Sequence, residues 1–167
     1  ILITSVKPLT DPTVQLKLVC QGQCQSLQRV DFCDGAYILE PEALLTLPSL
    51  YRYKVRFEEF DYDICYTCAY DSQRFLEEFV YDGDDFGATY GPDSTDFALW
   101  GPTAEGVKVR LYATGSDREP GAAMLGTYKM QRGEKGVWRA TIPGDLNGVY
   151  YTYLVTVNGK IEEVCDP

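Results

Sequence analysis

Apolar and polar residues alternate along several stretches of this chain, which is typical of β-strands with one buried face. The alternation is clearest in Tyr51–Phe57, Val107–Tyr112 and Val149–Val157. Shorter or weaker strand patterns occupy residues 1–6, 13–20, 36–39, 97–100, 124–130, 137–142 and 161–165. Asn158-Gly159 lies between the last two strands, and both residues tolerate the positive φ angles of a two-residue hairpin turn. The pattern therefore predicts an all-β chain.

A Gly- and Asp-rich stretch that begins at Tyr81 (YDGDDFGATYGPD) separates two groups of predicted strands. We expect residues 1–80 to form a small N-terminal β domain. Residues 81–167 combine short strands with turn residues, which predicts an immunoglobulin-like β-sandwich. Helical signals are weak: residues 41–45 indicate one helical turn, and residues 74–80 fit either a helical turn or an extended linker.

The alternation also predicts which aromatic residues are buried. Trp138 shares its face with aliphatic residues of the same strand, as do Tyr151 and Tyr153, so all three are expected in the core. Trp100 ends a strand directly before Gly-Pro, and it is expected in the core as well.

Two further tyrosines are expected to face outward. Tyr112 follows Lys108 and Arg110 on one face of its strand, and Tyr150 begins the last long strand. An exposed aromatic ring with polar neighbours suits the C–H face and hydroxyls of a sugar. Tyr112, Tyr150, Lys108 and Arg110 are therefore the candidate carbohydrate-binding residues, with docking to another domain as the alternative.

The charge balance argues against some classes of binding partner. The chain has 15 basic and 25 acidic residues, which gives a net charge of −10. This argues against nucleic acid and against anionic membranes, because both need clustered Lys and Arg. The chain has no histidine, which excludes catalytic triads and metal sites that depend on one. No apolar run approaches the length of a membrane span.

The six cysteines leave three alternatives open. Cys20, Cys24, Cys65 and Cys68 could bind zinc, or the cysteines could form disulfides, or they could be reduced structural thiols. Reduced thiols fit best, since no secretion signal is visible. For the same reason we expect a cytoplasmic rather than an extracellular location.

Acidic clusters give no catalytic or metal site and no cofactor is predicted. Asp82 and Asp84 have the spacing that begins a calcium loop, but Phe86 and Asp93 stand where such a loop has oxygen ligands and a Glu. The pairs Glu58-Glu59 and Glu77-Glu78 are adjacent in sequence. Adjacent strand residues point to opposite faces, so neither pair suits two-carboxylate catalysis.

Two long motifs resemble a known family. YDGDDFGATYGPDSTDFALWGPTAEGVKVRLYATG and GVWRATIPGDLNGVYYTYLVTVNG resemble the isoamylase-type N-terminal module of type I pullulanases, also classed as carbohydrate-binding module family 48. The resemblance covers about residues 80–167 and implies an early-set immunoglobulin-like fold. It implies a parent enzyme that hydrolyses α-1,6 linkages in pullulan, starch or glycogen. Its catalytic carboxylates would lie on a TIM barrel that follows the module.

The resemblance also implies what this chain lacks. Asp166-Pro167 resembles the start of the link to the barrel, so we expect a fragment of a longer protein without catalytic residues of its own. Glycogen-binding relatives carry a Trp near the positions of residues 116–118 and another near Lys160 or Ile161, and this chain has neither. Three hypotheses follow: a noncatalytic part that braces the barrel and guides α-glucan, an autonomous α-glucan-binding module, or a disulfide-bonded adhesion protein.

Overall fold

The computed structural model describes residues 2–4, 16–33, 36–43, 45–64 and 67–166. The chain divides into two compact units, Ile1–Asp71 and Ser72–Pro167. Helix α1 (Gln73–Phe79) belongs to the second unit, whereas the sequence predicts a domain boundary at residues 80 and 81. No helix in the described part of the chain is long and apolar enough to cross a membrane.

The first unit is built on one antiparallel sheet with the strand order β1-β4-β3-β2-β5-β6. Its strands are β1 (Leu2–Thr4), β2 (Lys17–Cys20), β3 (Gln23–Cys33), β4 (Ala36–Pro41), β5 (Tyr53–Phe57) and β6 (Phe60–Asp63). Short 3₁₀ helices occupy Leu47–Arg52 and Thr67–Asp71. Strand β4 ends at Pro41 and helical residues begin at Leu47, so the predicted helical turn at 41–45 is wrong for the residues described there.

The core of the first unit confirms the alternation read in β5. Leu18 of β2 lies opposite Val55 of β5, and both side chains are buried with Leu16 and Leu39. The polar residues of β5 instead form ion pairs with β6, and these pairs are Lys54–Asp63 at 3.1 Å and Arg56–Asp61 at 2.6 Å.

Three of the cysteines are free thiols. Cys20 and Cys24 flank the turn between β2 and β3, and both are free, as is Cys165. Cys65 lies outside the described residues, as do residues 5 and 6 and 13–15 of two predicted strands. Among the described residues, no group of three or more acidic or thiol side chains could hold a metal ion.

The second unit is a sandwich of two four-stranded antiparallel sheets, with orders β10-β9-β13-β14 and β11-β12-β8-β7. The first sheet contains β9 (Gly106–Tyr112), β10 (Met124–Lys129), β13 (Tyr150–Val157) and β14 (Lys160–Val164). The second contains β7 (Gly87–Tyr90), β8 (Ser94–Trp100), β11 (Gln131–Arg132) and β12 (Val137–Pro143). The predicted all-β architecture with an immunoglobulin-like sandwich is confirmed.

The sandwich core lies between the inner faces of the two sheets. Strand β9 contributes Val107, Val109 and Leu111, which the alternation predicts. Trp138 and Tyr153 are buried with them, and Tyr151 packs against this cluster while remaining partly exposed. The assignment of these aromatic residues to the core is confirmed.

The prediction that Trp100 is a core residue is wrong. Its side chain is 44% exposed, because Thr95, Phe97 and Leu99 occupy the inward positions of β8 and Trp100 has the opposite parity. The indole Nε1–H donates to the carbonyl oxygen of Phe79 at 3.0 Å, near the end of α1. Trp100 therefore attaches the helix to the outer face of the second sheet.

Candidate functional site

Tyr112 and Tyr150 lie directly opposite each other at one end of the first sheet. Strand β9 ends at Tyr112, β13 begins at Tyr150, and the two residues pair in the antiparallel register. Tyr150 is 54% exposed and Tyr112 is half-buried. Both face outward, as the sequence predicts.

The loop after β9 completes a groove beside these rings. Its ends are joined by the Ala113 N–H, which donates to the Ala123 carbonyl at 2.9 Å. A Cβ on Gly115 would approach Cε1 of Tyr150 to 2.9 Å, so only glycine lets the ring lie this close to the loop. The groove has a volume of about 570 Å³, and its polar wall includes Thr114, Ser116 and Thr152.

Glu163 of β14 organises the polar side of the site. Its carboxylate accepts hydrogen bonds from Thr152 Oγ1 at 2.6 Å, from Arg110 Nη1 at 2.9 Å and from the Tyr112 hydroxyl. Arg110 also donates through Nε to Thr127 Oγ1 at 3.4 Å. These bonds fix the orientation of the Tyr112 ring from the neighbouring strands.

The same bonds determine the charge of the site. Hydrogen bonds from Thr152 and Tyr112, followed by attraction to Arg110, hold the pKa of Glu163 below its ordinary value. Glu163 is therefore ionised at neutral pH and is a poor general acid. It can accept hydrogen bonds from hydroxyl groups, which suits recognition better than proton transfer.

The structure brings together three of the four candidate residues. Tyr112, Tyr150 and Arg110 share the groove or its hydrogen-bond network. Lys108 faces the same way but lies four residues before Tyr112, about 13 Å along the strand, and pairs in register with Leu154.

Sequence reasoning missed Thr152, Glu163 and Cys165. The hairpin register could have located Glu163. The two-residue Asn158-Gly159 turn pairs Val157 with Lys160, and this register places Glu163 on the outward face. Cys165 lines the groove as an exposed free thiol.

Such a groove can bind a neutral ligand that has several hydroxyls. Tyrosine rings offer an apolar surface for the C–H face of a sugar, while Thr114, Ser116 and Asp117 of the loop offer hydrogen bonds to its hydroxyls.

Comparison with known proteins agrees with this geometry. The family model for carbohydrate-binding module 48, the isoamylase N-terminal domain, matches residues 85–167. The second half of the chain belongs to this family. The family 48 module therefore contains the entire groove, together with strands β7 to β14.

Relatives of the family 48 module occur in two kinds of enzyme. The pullulanase of Bacillus subtilis (strain 168) is 38% identical over 93 residues, which are 55% of this chain and 12% of the relative. The 1,4-alpha-glucan branching enzyme GlgB of Jannaschia sp. (strain CCS1) is 38% identical over 82 residues, 48% of this chain and 11% of the relative. The matched segment thus spans only about a tenth of either relative's length.

A solved structure resembles both units. The crystal structure of a pullulanase from Anoxybacillus sp. LM18-11 complexed with maltotriose matches 99% of this chain and 23% of its own, with a TM-score of 0.69 and 27% identity. The similarity therefore extends beyond the family 48 module into residues 1–71.

Proposed function

We propose that this chain is a noncatalytic part of an α-1,6-glucan debranching enzyme of the pullulanase type, and that its family 48 module contacts α-glucan. The observation that carries this proposal is the match of the Anoxybacillus pullulanase to 99% of the chain. This match includes the first unit as well as the family 48 module, which favours a parent of the pullulanase type.

The proposed partner within the same polypeptide is a catalytic TIM barrel, as the family resemblance implies. Glu163 accepts hydrogen bonds from three donors, and two of them, Tyr112 and Thr152, line the groove, which suits a residue that positions a binding surface. The chain would then brace the barrel and guide starch, glycogen or pullulan to it.

The proposed glucan contact is the groove between Tyr112 and Tyr150. Both rings present outward surface at the same end of the sheet, and Glu163 holds one of them in place. An uncharged glucan is compatible with a net charge of −10, since a neutral ligand is not repelled by an acidic protein.

Affinity electrophoresis in pullulan or glycogen gels tests this contact. We expect the intact chain to be retarded, and we expect Tyr112→Ala and Tyr150→Ala each to weaken binding by about tenfold, the effect of losing one stacking ring. Tyr128→Ala is the matched control, because Tyr128 is also exposed but pairs with the inward residue Val109. Absence of retardation for the unaltered chain would refute glucan binding.

The alternative is an autonomous glucan-binding module with no role beside a barrel. The groove lies wholly within residues 112–165, so binding itself needs no residue of the first unit. Pullulan hydrolysis by the full-length parent discriminates between the two. If the groove guides glucan to the barrel, Tyr112→Ala should raise KM for pullulan and leave kcat unchanged. An unchanged KM despite lost gel retardation would favour the autonomous module.

A further inference from the structure

A second concave site lies at the end of the sandwich, below the loop that joins β12 to β13. It has a volume of about 200 Å³. Its walls are mostly apolar and come from both sheets and from the loop, including Phe97, Leu111, Leu146 and Val149. It shares only Tyr151 with the groove beside Tyr112, so the two sites are distinct.

One polar group in this cavity is left unpaired. Thr95 lines the cavity and is 3% exposed, and among the described residues its Oγ1 has no hydrogen-bond partner. A buried hydroxyl without a partner is unfavourable, and native proteins pair most such groups with protein, water or a ligand. The Thr95 hydroxyl therefore marks where a guest's polar atom would lie.

Hydrogen bonds fix the walls of the cavity in the absence of a ligand. The Tyr90 hydroxyl donates to Asp145 Oδ1 at 2.9 Å, and the Asn147 N–H donates to the same oxygen at 2.9 Å. The loop is tightened further by the Val149 N–H, which donates to the Leu146 carbonyl at 3.0 Å. The cavity is thus preformed, which reduces the ordering cost of binding.

The residues that line the cavity favour an aromatic ligand. Phe97 and Tyr151 meet edge to face with ring centroids 5.0 Å apart, and such a wall accepts a further aromatic ring in the same geometry. An apolar protein cavity of about 150 Å³ is large enough for benzene, so about 200 Å³ accommodates a benzene ring with small substituents.

Sugars do not suit this cavity. The tyrosine hydroxyls at its rim are already engaged, that of Tyr90 by Asp145 and that of Tyr151 by Asp166. Thr95 and Asn147 remain available to bond a glucose unit, which carries several hydroxyls. Each glucose hydroxyl that is buried unpaired would weaken binding by about tenfold or more.

We propose that this cavity binds a phenolic ring, with the ring against Phe97 and Tyr151 and the phenol hydroxyl bonded to Thr95. The ring belongs either to a small phenol or to a tyrosine side chain of a protein segment. This site does not depend on the proposed glucan contact, because Tyr151 alone lines both and the ligand chemistry differs.

Titration of the intact chain with p-cresol, followed by ¹H–¹⁵N NMR, tests the proposal. We expect saturable shifts at the amides of Thr95, Leu146 and Val149. Toluene, which lacks the hydroxyl, should bind about two- to tenfold more weakly, the range of one net hydrogen bond. Thr95→Val should abolish this preference, and its fold should persist because it removes an unpaired buried hydroxyl. Thr89→Val, at an exposed position of β7, is the matched control.

Two further titrations distinguish a small phenol from a tyrosine side chain and from a sugar. Saturable binding of the peptide acetyl-Gly-Tyr-Gly-amide would assign the site to a protein segment, and binding of p-cresol alone would assign it to a small phenol. Maltotriose should not shift these three amides. No saturable shift with p-cresol, or equal affinity for p-cresol and toluene in the unaltered chain, would overturn the proposal.

Discussion

The two outer faces of the sandwich both carry aromatic residues, but these residues have different surroundings. On the second sheet, Trp100 donates to the Phe79 carbonyl, and Arg139 pairs with Asp85 at 2.6 Å. On the first sheet, Tyr112 and Tyr150 instead border a groove. Trp100 is thus held by helix α1, whereas Tyr112 and Tyr150 lie beside open space at the end of their sheet.

Burial on the outer face of the second sheet, which we call the covered face, supports this comparison. Ala98 and Val137 have outward parity in β8 and β12, yet they are 3% and 2% exposed. Lys135 also donates through Nζ to the Glu77 carbonyl of α1 at 2.7 Å. Residues 77–85 therefore act as part of the second unit, although the family model begins at residue 85.

The largest expected effect on the free energy of unfolding comes from weakening the packing of helix α1. Phe79 is 4% exposed and its ring centroid lies 5.0 Å from that of Phe75. Phe79→Ala should lower the free energy of unfolding by about 3–5 kcal/mol, the usual cost of truncating a buried Phe. Urea unfolding of the intact chain measures this. Leu76→Ala, at an exposed position of the same helix, should cost less than about 1 kcal/mol. Similar losses for both variants would show that α1 is not held by its buried face.

A smaller effect is expected from the indole bond. Trp100→Phe keeps an aromatic ring but removes the donor to the Phe79 carbonyl, so it should cost about 0.5–1.5 kcal/mol of unfolding free energy. Retardation in glucan gels should be unchanged. If Trp100→Phe or Trp100→Ala instead abolished retardation, the covered face would be the glucan platform and the comparison would be reversed.

The smallest effect concerns the charge of Glu163. Its folded-state pKa is lowered, so its ionic and hydrogen-bond contribution to stability is present above the unfolded value and is lost as pH falls through the folded value. Glu163→Gln should therefore cost less than about 1 kcal/mol at pH 7, since the Arg110–Glu163 pair is partly exposed. The difference in thermal unfolding between the two proteins should begin to shrink as pH falls below about 4.5, the ordinary range of a Glu, and should vanish below the lowered folded-state value. A difference that persists unchanged at pH 3 would contradict the ionic role.

The sequence predicts the sandwich well where strands have one buried face. The alternation in β9 and β13 located the core, and the Asn158-Gly159 turn is confirmed by positive φ angles of 52° and 73°. The alternation does not predict strands β3, β6, β7 and the two-residue β11. Strand β6 alternates Phe60 and Tyr62 with Asp61 and Asp63, but it has four residues and all four are exposed, so burial does not mark it and pairing with β5 makes it a strand.

The site was predictable only in part, for a similar reason. Parity assigned Tyr112 and Tyr150 to the outward face, but it carries no information about the loop that approaches Tyr150 at Gly115. The strand period places Trp100 opposite in parity to Phe97 and therefore on the outer face, and its position before Gly-Pro does not override that period. The location of the chain in the cell stays a prediction.

The most direct test of the central claim is whether α-glucan occupies the groove beside Tyr112 and Tyr150. Cys165 lines this groove, whereas Cys24 is an exposed free thiol of the first unit and serves as an internal control. Alkylation rates of both thiols can be followed by peptide mass spectrometry with and without maltohexaose. The account predicts slower alkylation of Cys165 and an unchanged rate at Cys24. Equal rates at Cys165 with and without saturating maltohexaose would contradict it.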